Sequence, residues 1–215
     1  MPAAGQGRCD ARRQPLPSRF PEFASELDAV VARAKDAGIG VCVTIGTKLA
    51  NFPNVRAVAE RFDDVWCSVG VHPHEAQVEL LDGPQVLIEA ARHPKVVGIG
   101  ETGLDYYYEH SPRPQQIANF AITSLPPARP ACRSSSIPAM PTTTRLRCCA
   151  RRWRRRPFTG LIHCFTGTRR LAEASLDLGP SYLGFRHCHL QEIRRVARRA
   201  EGRALDRLLV ETDSP

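Results

Sequence analysis

No apolar run in this chain approaches the roughly 18 residues that a membrane-spanning helix needs, and the opening Met1-Pro-Ala-Ala-Gly lacks the apolar core of a secretory leader. These absences predict a soluble, cytoplasmic protein with no membrane partner. Paired C-x-x-C spacings are also missing, and the eight cysteines are scattered over 215 residues. That excludes the dense disulfide framework of a small secreted scaffold and makes free thiols the default. No glycine-rich phosphate loop follows the first apolar run, so the usual signature of a doubly wound nucleotide-binding sheet is lacking. One stretch lacks acidic residues altogether: positions 121–156 hold nine arginines (129, 133, 145, 147, 151, 152, 154, 155 and 156) and no Lys, Asp or Glu. Those nine exceed the whole net charge of +8, so the remainder of the chain is close to neutral. A groove built by a fold to take phosphate draws its charge from several elements, and one linear block is weak evidence for such a surface.

What is present is enough apolar sequence, 42% of residues, to bury one sizeable core. Short runs rich in β-branched residues recur at 38–46 (GIGVCVTIG), 66–71 (WCSVGV), 96–100 (VVGIG), 161–165 (LIHCF) and 208–211 (LLVE), each bounded by Gly, Pro or polar turns. They read as buried strands. Helix-like stretches lie between and around them at 23–37, 54–62, 86–92, 171–178 and 192–200. The first places Leu27, Val30, Val31 and Ala34 on one helical stripe, the pattern of a helix lying on a sheet. Alternation at this pace predicts parallel βα units, either a barrel or an open doubly wound sheet.

Polar residues at the strand ends separate the two. His72 and His74 follow Val71, Glu101 follows Gly100, His163 lies inside Leu161-Ile-His-Cys-Phe, and Asp213 follows Glu211-Thr212. In a (β/α)8 TIM barrel all strand ends open on one mouth, where side chains from distant positions converge. The barrel is therefore the expected fold class. A Glu, a His and an Asp gathered there form an oxygen-and-imidazole set suited to Zn, Mn or Mg. Such a set can acidify a bound water and polarise a phosphoryl or carbonyl oxygen.

The motifs that carry these residues resemble the TatD family of metal-dependent deoxyribonucleases, which are (β/α)8 barrels of the amidohydrolase-like group. The match rests on Val71-His-Pro-His-Glu-Ala, Val97-Gly-Ile-Gly-Glu-Thr-Gly-Leu-Asp-Tyr, Leu161-Ile-His-Cys-Phe-Thr-Gly and Leu209-Val-Glu-Thr-Asp-Ser-Pro, in order, across about 21–215. The resemblance implies a hydrolase cleaving phosphodiester bonds in DNA with one or two divalent cations. It implies Glu101, His163 and Asp213 as metal ligands, Asp213 also as acceptor of the nucleophilic water's proton, His72 against substrate phosphate, and His74 at the rim of the substrate site. Two other classes fit the same sequence. One is a metal hydrolase of a small-molecule ester or amide or of aminoacylated RNA; the other is a non-catalytic nucleic-acid binder using 121–156 as a basic insertion.

The family's H-x-H pair after the first strand and its His after the fourth have no counterpart. Residues 11–20 and the fourth-strand region within 121–156 carry prolines and uncompensated arginines, which makes both implausible as barrel strands. Codon degeneracy offers an explanation. Shifted by one nucleotide, residues 10–20 can spell M-L-V-D-S-H-C-H-L-D-F. Shifted the other way, 121–153 can spell R-D-H-I-A-A-A-R-E-T-G-L-P-L-V-I-H-T-R-D-A and onward, with the missing His where Ile137 stands. Residues 182–191 can likewise give a further strand. On this reading the chain is one TatD-like domain over 1–215, with 121–156 out of frame and the closing end of the barrel absent. The metal-like pair His187-Cys-His189, the adjacent Cys148 and Cys149, and the arginines around Trp153 become out-of-frame residues. Activity of this particular polypeptide is then in doubt, because a lost ligand removes most metal affinity.

Overall fold

The computed structural model describes residues 13–16, 26–123, 133–137, 160–162, 165, 169–177, 181–186 and 207–211. Eight strands run through these segments: β1 (Arg13–Leu16), β2 (Val41–Thr44), β3 (Val65–Val69), β4 (Val96–Gly103), β5 (Arg133–Ile137), β6 (Gly160–Ile162), β7 (Ser181–Arg186) and β8 (Leu208–Glu211). They form one sheet in the order β1-β2-β3-β4-β5-β6-β7-β8, and every neighbouring pair is parallel. Parallel neighbours need a crossover, and between successive strands stand α1 (Leu27–Asp36), α2 (Phe52–Arg61), α3 (Gln85–Ala90), α4 (Arg113–Thr123) and α5 (Arg169–Asp177). This is the sequence-ordered α/β arrangement that the strand and helix patterns predict, and it excludes the reversal of strand order of a doubly wound sheet.

The strand expectations at 38–46, 66–71, 96–100, 161–165 and 208–211 each contain or overlap a strand, and four of the five helical expectations overlap α1, α2, α3 and α5. The helix expected at 192–200 lies outside the described residues. One expectation is overturned: the segments taken as implausible strands do pair. β1 lies beside β2 with Arg13 opposite Val41 and Leu16 opposite Thr44. β5 fits between β4 and β6, with Gly98 opposite Arg133 and Gly103 opposite Ile137. The physical reason lies in what these short elements contain. β1 is only four residues long, so its one proline, Pro15, removes a single donor from the ladder with β2. β5 takes Arg-Ser-Ser-Ser-Ile, whose one charge is at its first residue.

The core lies between β2, β3, β4 and the first three helices. Cys42, Val65, Cys67, Val69, Val96 and Ile99 from the sheet pack with Val31 of α1, Val55 and Ala59 of α2 and Leu87 of α3, all buried. Cys42 and Cys67 are free thiols, as their scattered spacing predicts. Burial pushes the Cys42 thiol pKa up, and the nearby Asp64 carboxylate adds to this against the opposing Lys35. Lys95 fixes the opposite end of the sheet, donating from Nζ to the carbonyls of Phe62, Asp63 and Val65 while its ammonium sits 5.1 Å from the centre of the Trp66 ring. Three main-chain acceptors and an aromatic face thus tie the start of β4 to the turn before β3.

α4 departs from the sequence pattern because its inward face carries amides. Gln116, Asn119 and Thr123 are buried on it beside Phe120, so no continuous apolar stripe marks it in the sequence. Those amides hold loops. Asn119 accepts from the Leu81 amide at 2.8 Å and donates to the Glu79 carbonyl at 2.8 Å. Gln116 accepts from the Asp105 amide at 2.7 Å and donates to the carbonyls of Asp105 and Ser111. A helix that would otherwise bury only aliphatic side chains instead clamps the loops after β3 and β4, which are the loops that carry the candidate site.

Candidate active site

The C-terminal ends of β2, β3 and β4 meet backbone to backbone, and glycine makes this possible. A Cβ on Gly70, just beyond β3, would lie 2.7 Å from the carbonyl carbon of Gly100 on β4; one on Gly46, just beyond β2, would lie 2.5 Å from the Ser68 carbonyl oxygen. Neither space admits a methyl group. The three strand ends therefore approach closely enough to share hydrogen bonds: the Glu101 amide donates to the Gly46 carbonyl and the His72 amide to the Thr47 carbonyl, both at 2.9 Å. Two expected site residues on different strands thus hang from consecutive carbonyls of one loop. The same loop is tied down by Glu79, whose carboxylate accepts from the amides of Leu49 and Ala50, and by the Lys48–Glu75 ion pair at 2.9 Å.

His72 is buried, with 9% of its surface exposed. It precedes a single 3-10 turn, Pro73–Glu75, and its Nδ1 accepts from the His74 amide at 3.1 Å. An imidazole nitrogen that accepts carries no proton, so with Nδ1 accepting, the ring's N–H is on Nε2. That suits an anionic oxygen such as phosphate better than a cation. Glu101 is half-buried on β4, and its carboxylate is a hard oxygen donor of the kind that divalent cations take.

His74 stands in a different environment. Its Nε2 lies 2.6 Å from Oδ2 of Asp105, a carboxylate only 4% exposed. The other oxygen of Asp105 accepts from the amides of Tyr107 and Tyr108 at 2.9 and 3.1 Å. Burial drives the Asp105 pKa up, but the His74 hydrogen bond and the two amides together outweigh it and hold the carboxyl below its ordinary value. With Asp105 ionised, His74 is the donor. Ser111 closes the ring of contacts, donating to the His74 carbonyl at 2.7 Å and accepting from the Gln77 amide. Asp105 and Ser111 on the loop after β4, and Gln116 on α4, are supporting residues that strand-end positions do not reveal. The only signal for Asp105 is its place in Gly-Leu-Asp-Tyr, four residues after Glu101.

The other two predicted ligands, His163 and Asp213, lie outside the described residues. In sequence His163 directly follows β6 and Asp213 comes two residues after β8. Phe165, beyond His163, is buried and its amide donates to the Gly184 carbonyl of β7 at 2.7 Å. His187 and His189 also lie outside the described residues. Among the described residues no group of three or more His, Cys, Asp or Glu side chains could hold a metal ion, because only Glu101 of the three expected ligands is among them. Among the described residues no helix is long and apolar enough to cross a membrane.

The model for the TatD-related DNase family matches residues 18–215. This chain belongs to that family. It is 33% identical to the 3'-5' ssDNA/RNA exonuclease TatD of Edwardsiella piscicida over 197 residues, covering 90% of this chain and 75% of the relative. It is 31% identical to the protein of the same description from Escherichia coli K12 over 202 residues, with 90% and 75% coverage. Among solved structures it is similar to YjjV, a TatD homologue from Escherichia coli K12, with a TM-score of 0.60 and 25% identity over 91% of this chain and 76% of the other. Nucleases of the TatD family are generally metal-dependent, which agrees in kind with the carboxylate that Glu101 supplies on β4.

Proposed function

We propose that this chain is a metal-dependent nuclease that cleaves phosphodiester bonds in DNA, single-stranded DNA and RNA being the substrates that its exonuclease relatives are named for. The observation that carries the proposal is the suspension of His72 and Glu101 from consecutive carbonyls of the 46–47 loop, which brings an imidazole-bearing and a carboxylate-bearing residue from two strand ends to one loop. On the same reading the eight-stranded sheet closes into a (β/α)8 barrel, whose mouth collects all the strand ends.

Glu101, with His163 and Asp213, would hold one or two cations of the Mg, Mn or Zn class. A cation there supplies polarisation of a phosphoryl oxygen and acidification of a water. His72 contacts the substrate phosphate and orients the phosphodiester. Asp213 takes the proton of the attacking water as its oxygen bonds to phosphorus and the P–O bond to the leaving nucleotide breaks. His74, locked by Asp105, holds the rim of the pocket rather than the metal.

The frame-shift reading accounts for the ligands that are missing. β1 is the first strand, and β5, the region expected to be the fourth strand, is the fifth in the sheet order; it ends on Ile137, the position to which the shifted frame assigns the family's His. A chain with both frames restored therefore gains its H-x-H pair and that His at strand ends. Resequencing the gene tests this: third-position bases that forbid the alternative spellings refute it.

Digestion of single-stranded DNA, run beside hydrolysis of simple esters with Mg, Mn or Zn added, tests the activity. DNA cleavage abolished by Glu101→Gln is the expected result. Intact DNA with robust ester turnover would assign the site to a small-molecule hydrolase instead.

A further inference from the structure

Three of the four tyrosines in the chain are consecutive, Tyr106 to Tyr108, on the loop between β4 and α4. Tyr106 is engaged, with the Arg113 guanidinium 4.5 Å from its ring centre. Tyr107 and Tyr108 are 80% and 63% exposed. Two large rings left in solvent side by side are costly unless something covers them. They are also held in place: both amides are bonded to Asp105, and Gln116 clasps the same loop from α4. Glu109 takes a left-handed conformation, φ 50°, where the loop turns back toward the helix.

The rings continue into the site. Tyr107 meets Tyr108 edge-on at 4.8 Å; Tyr108 lies parallel to His110 at 5.8 Å and edge-on to His74 at 6.0 Å; His74 meets His72 at 4.4 Å. A series of aromatic faces thus runs from the buried His72 to the exposed Tyr107. Every nucleobase has a π-face, and stacking on a pre-placed tyrosine needs no particular base. Rings fixed by their backbone lose little entropy on binding, since each has only two side-chain torsions.

We propose that Tyr107, backed by Tyr108, is a stacking platform for an unpaired nucleobase of the substrate strand, at the outer end of the series of rings that starts at His72. The proposal rests on the nuclease reading and deepens it. A base enclosed in a duplex cannot offer its face, so the platform selects single strands.

The test is binding, measured with a chelator present so that cleavage plays no part. Fluorescence anisotropy would report the affinity of the full chain for a labelled oligothymidylate and for an abasic strand of equal length, using wild type, Tyr107→Ala, Tyr107→Phe and Tyr107→Ala/Tyr108→Ala. Wild type should prefer the base-bearing strand by about tenfold or more, Tyr107→Phe should keep that preference, and the alanine variants should lose it while binding the abasic strand as wild type does. Wild-type affinity of Tyr107→Ala for oligothymidylate would overturn the platform, as would equal loss on both strands or a wild type blind to the bases; each leaves the nuclease reading intact. Wild type that binds neither strand would overturn the platform as well; the nuclease reading is judged separately, by the digestion with added metal. Thermal unfolding followed by circular dichroism should be unchanged in the single variants, because Tyr107 supports no core contact.

Discussion

Asp105 Oδ2 and His74 Nε2 lie 2.6 Å apart, one on the loop after β4 and the other on the loop after β3. This contact joins two strand ends that the sheet alone would leave as independent loops. It also sets the roles of the two residues: the carboxylate is fully occupied by one imidazole and two amides, and the imidazole is committed to a structural partner. The pair shapes the rim of the site and leaves phosphate and cation contacts to His72 and Glu101.

Asp105→Asn should destabilise the fold by about 1–3 kcal/mol, since a buried amide cannot accept the same three bonds without leaving a polar group unmatched. The wild-type advantage depends on pH in a defined direction. A carboxyl whose folded pKa lies below its unfolded value of about 3.9 contributes stability above that value and loses it as pH falls through the folded pKa. Denaturant midpoints of wild type and variant should therefore differ by a constant amount at neutral pH and converge in acid. A gap that widens below about pH 4 would contradict this.

Glu101→Gln should reduce divalent-metal affinity by at least about tenfold, as loss of a charged oxygen ligand does. Isothermal titration with Mn reads the affinity. Unaltered metal affinity would remove Glu101 from the ligand set.

Gln116→Leu keeps the volume of the side chain but strips one acceptor and two donors from the loop after β4. Three main-chain groups lose their partners, and the expected cost is about 1–3 kcal/mol. Hydrogen exchange at Asp105, Tyr107 and Tyr108 should accelerate more than exchange in β3, since the damage is confined to the loop.

Gly70→Ala should cost about 1–3 kcal/mol, because its methyl group meets the Gly100 backbone rather than a side chain able to rotate away. Alanine at Gly83, where nothing lies within 4 Å, is the matched control and should be close to neutral. Equal midpoints for the two variants would show that the strand ends can separate at no cost.

Much of this molecule is legible in one dimension. β-branched runs at the observed spacing can be satisfied only by buried parallel strands, so residues 41–44, 65–69 and 96–103 declare themselves. The strand-end positions of His72 and Glu101 follow from where those runs stop, and four motifs in order name the family. Other features have no linear signature, because they depend on partners far apart in the chain. α4 hides behind buried amides whose purpose is visible only when the loops they bond are in place. Asp105 reads as a turn residue until His74 is beside it. Composition argued against strands at 13–16 and 133–137, yet the parallel neighbours β2, β4 and β6 supply the ladder that a short segment could not form by itself. Propensity and pattern decide which residues can be strand or helix; which loops become rigid, and which histidine faces a carboxylate rather than a substrate, is decided by hydrogen bonds between segments about thirty residues apart.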